Sequence, residues 1–328
     1  KQLRSLILGR IWMWDIPDEL VAGKSRSWSS GAILGGSFNR HGTRAVMRTD
    51  PAVDFQQAFA VLAWDVKANR KIWQRQAADD RAFSMPVIGP DSRYVVVPSR
   101  SRRPSEGDGQ PGGFSTQLHV LDGHTGHEIR AFEPTGACNI NNVVFTPDGR
   151  HVAVLATRRP KDDDLHWSQI PAAFQLVLWN VVTGEEVFAV PIDDDDPNLC
   201  GFTSDAKELM VGLETSGGLL VLDAATGARR RIMAPKGKSI HQSGTWSLSP
   251  DGKTLALVGS IGHSRDITMT LFAAQTGAQL RQLPIETGFS SLGVCWSPDS
   301  RRIALVSELY MRDAVFNNRL AGEVTIWD

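Results

Sequence analysis

Two runs of aspartate, Asp162-Asp163-Asp164 and Asp193-Asp194-Asp195-Asp196, give this chain seven carboxylates in two short blocks. Hard cations such as Ca²⁺ take six to eight oxygen ligands, so two such blocks held side by side could form a calcium-type site. Neither run has the Asp-x-Asp-x-Asp-Gly order that wraps ligands around one ion, and a solvated charge run is the competing reading. His119, His124 and His127 crowd another short stretch. Imidazoles flanking a turn can approach a metal, yet the spacing places no carboxylate or cysteine partner with them, and a solvent-facing turn is the favoured reading. Arg100, Arg102 and Arg103 precede the glycine-rich Glu106-Gly107-Asp108-Gly109. That piece does not follow a strand and open a helix, so it is no phosphate-cradling loop. Arg229-Arg230-Arg231 is a second basic cluster, too small to indicate nucleic acid.

The familiar catalytic signatures are missing. The chain has no Gly-x-Ser-x-Gly elbow, no His-Glu-x-x-His and no paired Cys-x-x-Cys. Asn139, Asn141, Asn142, His241 and Gln242 form no recognisable constellation. No catalytic residue, cofactor or metal is therefore assigned, and the two aspartate runs stand as the metal candidates.

The elements that must position these residues are legible as a repeat. Seven apolar segments end in Trp-Asp or a variant: Trp14-Asp15, Trp64-Asp65, Leu121-Asp122, Trp179-Asn180, Leu222-Asp223, Phe272-Ala273 and Trp327-Asp328. Units of about 40–50 residues built from short strands point to a β-propeller. Between the marks lies a turn of the Ser-Pro-Asp-Gly type, seen at Pro147-Asp148-Gly149, Pro250-Asp251-Gly252, Pro298-Asp299-Ser300, Pro90-Asp91-Ser92, Ser204-Asp205-Ala206 and Arg40-His41-Gly42. Proline presets φ, aspartate caps its own backbone and glycine accepts positive φ. Short aliphatic runs follow, such as Val152 to Leu155 and Leu255 to Val258, too brief for helices. After each mark a Thr-Gly turn appears, at Thr125-Gly126, Thr183-Gly184, Thr226-Gly227 and Thr276-Gly277, with Ala68-Asn69 as its counterpart in the second unit. Each unit thus reads as strand a, turn, strand b, loop, strand c, turn, strand d, which is one propeller blade.

The Ser-Pro-Asp-Gly turn, the Trp-Asp strand end and the Thr-Gly turn together resemble the WD-repeat (WD40-type) β-propellers in their bacterial style. The resemblance covers nearly the whole chain and implies a protein-interaction scaffold. The Gly-His pair that opens many repeats of that family is absent before strands a; Gly123-His124 lies in a c–d turn instead.

The fold class expected is all-β, a β-propeller of seven four-stranded blades with incomplete first and last blades. Six blades is the alternative, with Leu20 to Trp28 supplying the last strand d. The chain is read as a single propeller domain over 1–328 and as a piece of a longer polypeptide, because it starts without Met and ends on a mark. A hydrophobic share of 41% argues against disorder. A net charge of −1 gives no electrostatic footprint for nucleic acid. An odd count of three cysteines makes no disulfide framework, and no segment has the ~18 continuous apolar residues that span a membrane.

Length variation falls in the b–c loops, near Thr49 to Gln57, Arg100 to Ser115, Thr157 to Phe174 and Ser307 to Gly322. Long loops on a rigid scaffold are where binding resides, with neutral loop drift the alternative. Arg100, Arg102, Arg103, Arg158, Arg159 and Lys161 are the candidates for a rim that binds a protein or peptide partner. The two aspartate runs are placed on that rim and Arg229-Arg230-Arg231 on the opposite face. A non-catalytic scaffold is the first expectation; an enzyme or small-ligand sensor using the channel mouth is the second.

Overall fold

A computed structural model of the chain describes residues 2–7, 10–15, 25–26, 32–50, 60–77, 81–102, 114–134, 137–158, 173–194, 197–213, 218–233, 240–261, 267–285, 289–297, 299–311 and 319–327. Every regular element among them is a β-strand. The first sheet is β1 (Gln2–Ile7), β2 (Arg10–Asp15) and β3 (Ser25–Arg26). The second is β4 (Ala32–Phe38), β5 (Arg44–Asp50), β6 (Ala60–Asp65) and β7 (Arg70–Gln76). The third holds β8 (Arg81–Phe83), β9 (Val87–Ile88), β10 (Tyr94–Arg102), β11 (Phe114–Asp122) and β12 (Glu128–Phe132). The fourth is β13 (Ala137–Phe145), β14 (His151–Arg158), β15 (Ala173–Asn180) and β16 (Glu186–Ile192). The fifth is β17 (Pro197–Phe202), β18 (Glu208–Leu213), β19 (Gly218–Asp223) and β20 (Arg229–Met233). The sixth is β21 (Ile240–Leu248), β22 (Thr254–Ile261), β23 (Thr268–Ala273) and β24 (Gln279–Pro284). The last is β25 (Phe289–Trp296), β26 (Ile303–Met311) and β27 (Arg319–Trp327). This is the a-b-c-d meander of a β-propeller. In the third sheet strand a is broken in two, because Pro86 lies between β8 and β9 and cannot donate to the ladder.

The a–b turns obey one geometry whatever residue fills them. In each, the fourth residue donates its amide to the carbonyl of the first: Gly42 to Asn39, Ser92 to Gly89, Gly149 to Thr146, Ala206 to Thr203, Gly252 to Ser249 and Ser300 to Ser297. That fourth residue has φ of 60°, 69° and 70° at Gly42, Gly149 and Gly252, and still 65°, 57° and 59° at Ser92, Ala206 and Ser300. The surrounding ladder therefore imposes the left-handed conformation even where a Cβ makes it unfavourable. Asn69 occupies the same region at φ 52° in its c–d turn.

The aspartate of the Trp-Asp mark has a structural task. Asp122 Oδ1 accepts the amides of His124 (2.9 Å) and Thr125 (2.8 Å) and the Thr125 hydroxyl (3.0 Å). Asp223 does the same for Ala225 and Thr226, and Asn180 for the amides of Val182 and Thr183. Each side chain thus caps the c–d turn that follows it.

Two compact units make up the chain, one of 1–163 with 179–186, the other of 164–178 with 187–328. In the first, Val46, Val61, Trp73, Phe83, Val95, Val97 and Leu121 pack as one apolar cluster. The Trp73 indole N–H donates to the Gly123 carbonyl (3.1 Å), and its ring lies against Gly126, where an added Cβ would sit 2.6 Å from it. Trp179, 4% exposed, stacks on Phe132 with centroids 5.3 Å apart. Trp64 is half-buried, against Ala45, Met47, Leu62 and Val66. In the second unit Phe188 lies on Gly227 as Trp73 does on Gly126, Met233 lies on Gly277, and Trp246 packs with Met210, Leu255, Leu257 and Phe272. Strands b and c are buried along most of their described length, as sheets covered on both faces require, while β20 and β24 are largely exposed.

Two glycines with nearly the same φ separate strain from contact. Gly149 at +69° has its nearest neighbour 3.3 Å from a built Cβ; Gly126 at +72° has the Trp73 ring at 2.6 Å. Gly149→Ala is expected to cost about 1 kcal/mol, the left-handed penalty alone. Gly126→Ala is expected to cost about 2–4 kcal/mol, because overpacking adds to it. Urea unfolding of the two variants checks the difference; equal losses would refute the docking of Trp73 on that turn.

Candidate functional site: a turn-bounded cleft and a buried hydrogen-bond chain

The residues singled out by the sequence fall into three groups. Asp162, Asp163, Asp164, Arg103, Arg159, Lys161, Asp195 and Asp196 lie outside the described residues. So do the tips of all four long b–c loops. Arg100 and Arg102 are on β10 and Arg158 is on β14, so these three belong to strands rather than to loops. The reason is the ladder: β10 pairs β11 without a break from Tyr94↔Asp122 to Arg102↔Phe114, carrying the hairpin past the apolar run that marked its start.

One member of the basic cluster and the first aspartate of the second run are partners across neighbouring sheets. Arg229, Arg230 and Arg231 form the start of β20, beyond the turn itself. Arg229 donates to Asp193 at 2.8 Å. Arg231 grips Glu208 with two nitrogens, at 2.7 and 2.9 Å. Arg230 bonds Asp223 and Glu208. The Arg230 guanidinium holds the Asp223 carboxyl down to about 2, with the Thr226 hydroxyl adding to the effect. Asp193 is thus already neutralised by a neighbour. Among the described residues no three His, Cys, Asp or Glu side chains gather as a metal would need.

Of the three histidines, His124 and His127 are exposed at the c–d turn, and His119 is not. His119 on β11 is 2% exposed. Its Nε2 is 2.7 Å from the Ser99 hydroxyl on β10, and its Nδ1 is 3.1 Å from Glu128 Oε2 on β12. Arg75 on β7 donates to the same Glu128 oxygen at 2.9 Å. A carboxylate oxygen only accepts, so Nδ1 carries a proton, and in neutral imidazole Nε2 accepts the Ser99 hydroxyl. The order serine–histidine–acid is that of a nucleophile activated by a base. Ser99 is only 3% exposed, however, so its hydroxyl faces the sheet and not a substrate. The chain of bonds ties strands b, c and d of the third sheet to strand d of the second. Glu128 is the partner the sequence spacing did not supply.

An open cleft of about 560 Å³ lies where the a–b turns of the third and fourth sheets meet the Asn180–Thr183 turn. It is lined by Asp91, Arg93, Tyr94, Asp148, Arg150 and Val182, among others. The two turns present the same Asp-x-Arg arrangement. Asp91 Oδ1 accepts the Arg93 amide at 2.9 Å, and Asp148 Oδ1 accepts the Arg150 amide at 3.0 Å and the Thr146 hydroxyl at 2.6 Å. Burial pushes the Asp148 carboxyl up, but the Thr146 hydroxyl and the Arg150 amide together hold it below the usual carboxylate range. The Arg93 guanidinium lies over the Tyr94 ring, 5.3 Å from its centroid. Of these, Asp91 and Asp148 were visible in the sequence as turn formers, and the arginines beside them carried no signal of their own.

Comparison with known proteins adds fold and nothing more specific. No family model matches the chain. No curated protein matches it. Solved structures do, among them hydrazine synthase of Kuenenia stuttgartiensis, 15% identical, with a TM-score of 0.56 over 80% of this chain and 77% of that one. At that identity the likeness shows the fold alone. No helix among the described residues is long and apolar enough to cross a membrane.

Two measurements test the site's internal bonds. Ser99→Ala leaves a buried imidazole nitrogen without its partner and is expected to cost about 1–3 kcal/mol in urea unfolding. For Asp148 the folded carboxyl titrates below its ordinary value near 3.8, so its bonds stabilise the protein above that pH and are lost as pH falls through the lowered value. Thr146→Val should therefore lower stability at pH 7 and flatten the loss on acidification below about pH 4. An acid limb identical to that of the parent protein would remove Thr146 as the cause.

Proposed function

We propose that this chain is a propeller module of the WD-repeat kind, acting as a non-catalytic scaffold for a protein or peptide partner within a larger bacterial protein. One observation carries the reading. The open cleft is bounded by the exposed side chains of three turns, whereas Ser99 and His119 are shut inside their sheet. Surfaces of that kind recognise other chains; a hydrolytic site needs its nucleophile within reach of a substrate. The repeated turns support the family reading, because Asp122, Asn180 and Asp223 cap their Thr-Gly turns in the same way. Absence of nucleic acid as a partner is part of the proposal and rests on the net charge of −1.

The second reading, a propeller enzyme, draws on the Ser99–His119–Glu128 order. One experiment separates the two. A photo-crosslinking residue placed at Val182 in the full-length protein, in its native host, is expected to capture a defined polypeptide partner. A fluorophosphonate probe is expected to leave Ser99 unlabelled. Labelling that vanishes in Ser99→Ala, with no crosslinked partner, would move the chain to the enzymes.

A further inference from the structure

We propose that the cleft between the third and fourth sheets is the docking site for an acidic peptide segment, held by Arg93 and Arg150. This rests on the interaction-module reading and names the chemistry of the partner. Most polar groups of the cleft already have partners within their own turns. Asp91 and Asp148 each give Oδ1 to the backbone of their own turn, and Asp148 takes a hydroxyl as well. Asn180 Oδ1 caps its turn, and the Thr183 hydroxyl donates to Glu185. The two guanidiniums have no ion-pair partner among the described residues. That sets them apart from Arg229, Arg230 and Arg231, each of which is bonded to a carboxylate.

The cleft's size admits a short peptide segment. Its volume lies in the range of ordinary ligand clefts, roughly 300–1,000 Å³. The two arginines come from equivalent positions of consecutive a–b turns, and both line the cleft. A segment with two carboxylates on one side can meet one arginine with each. In an extended chain, side chains two residues apart share a side and lie about 7 Å from one another. The Tyr94 ring fixes Arg93 in place, which lowers the entropy lost on binding. Val182 is 43% exposed at the cleft wall and offers an apolar contact beside the charges. The remaining negative charge of Asp91 and Asp148 opposes an acidic ligand, so binding is weak and strongly salt-dependent.

Fluorescence anisotropy of the whole chain with a fluorescein-labelled Gly-Glu-Val-Glu-Gly peptide tests this, with the Gly-Lys-Val-Lys-Gly peptide as comparison. The acidic peptide should bind and the basic one should not, and affinity should fall roughly tenfold or more from low to high salt. Arg93→Glu with Arg150→Glu should abolish binding. Lys253→Glu, at the equivalent position of another a–b turn, should leave it unchanged, and melting curves should show all variants folded. Equal loss in Lys253→Glu, retained binding in the double variant or equal binding of the basic peptide would overturn the proposal. Free glutarate binding as tightly as the peptide would overturn the peptide as the occupant. If crosslinking at Val182 captures a partner while the acidic peptide fails to bind, the module reading stands and the acidic chemistry assigned to the occupant of this cleft falls. If the peptide binds and no partner is ever captured, the module reading falls instead.

Discussion

Adjacent sheets within each unit are held together by large side chains seated on turns that have no side chain of their own. Trp73 lies on Gly126, Phe188 on Gly227 and Met233 on Gly277. Two demands meet at each such glycine. The c–d turn needs positive φ there, and the neighbouring strand d needs the space a Cβ would fill. Either demand alone tolerates a substitute, as Asn69 shows for the first. Together they leave glycine, and the apolar contact that results closes the seam between two sheets. The capping aspartate then acts one step further back: by fixing the turn, Asp122 and Asp223 fix the surface on which the neighbour rests.

The a–b turns are more permissive because nothing large rests on most of them. Ser92, Ala206 and Ser300 keep left-handed φ without glycine, each at the cost of local strain repaid by the ladder on both sides. Some of these positions also link neighbouring turns: the Asn39 amide donates to the Ser92 hydroxyl at 2.8 Å, and the Asp251 amide to Ser300 at 3.0 Å. The hydroxyl that replaces glycine in the turn therefore gains a bond that glycine could not make.

What could be read from the sequence follows from this division. Strand ends, turns and the order of strands were legible because each depends on residues a few positions apart, repeated along the chain. Ionic pairings were not, because they depend on how one sheet is set against the next. Arg229 and Asp193 are 36 residues apart. Glu128 escaped notice although it is only nine residues from His119, since the register of β11 with β12 slips between Val120 and Leu121, which sets Glu128 opposite Leu121 and within reach of the histidine. A bulge one residue before the mark recurs in the second, fifth and sixth sheets, at Ala63/Trp64, Val221/Leu222 and Leu271/Phe272. Such slips re-aim side chains, and no periodicity of apolar residues reports them.

The same accounting bears on function. Many of the chemistry-bearing side chains among the described residues are consumed by the repeat itself. The turn aspartates accept backbone amides, the triple arginine is matched by Asp193, Asp223 and Glu208, and the serine–histidine–glutamate chain, extended by Arg75, ties four strands together. A repeat that spends its charges internally can recognise a partner only through positions where the pairing fails to close. Arg93 and Arg150 are such positions. They occupy the place filled by Lys207 in the fifth sheet, which has Asp205 at 3.6 Å, but among the described residues neither closes such an ion pair with the carboxylate two residues before it, Asp91 or Asp148. Under the docking proposed above, recognition on this scaffold depends less on an added motif than on turn cations left without an ion pair where two consecutive turns share a cleft.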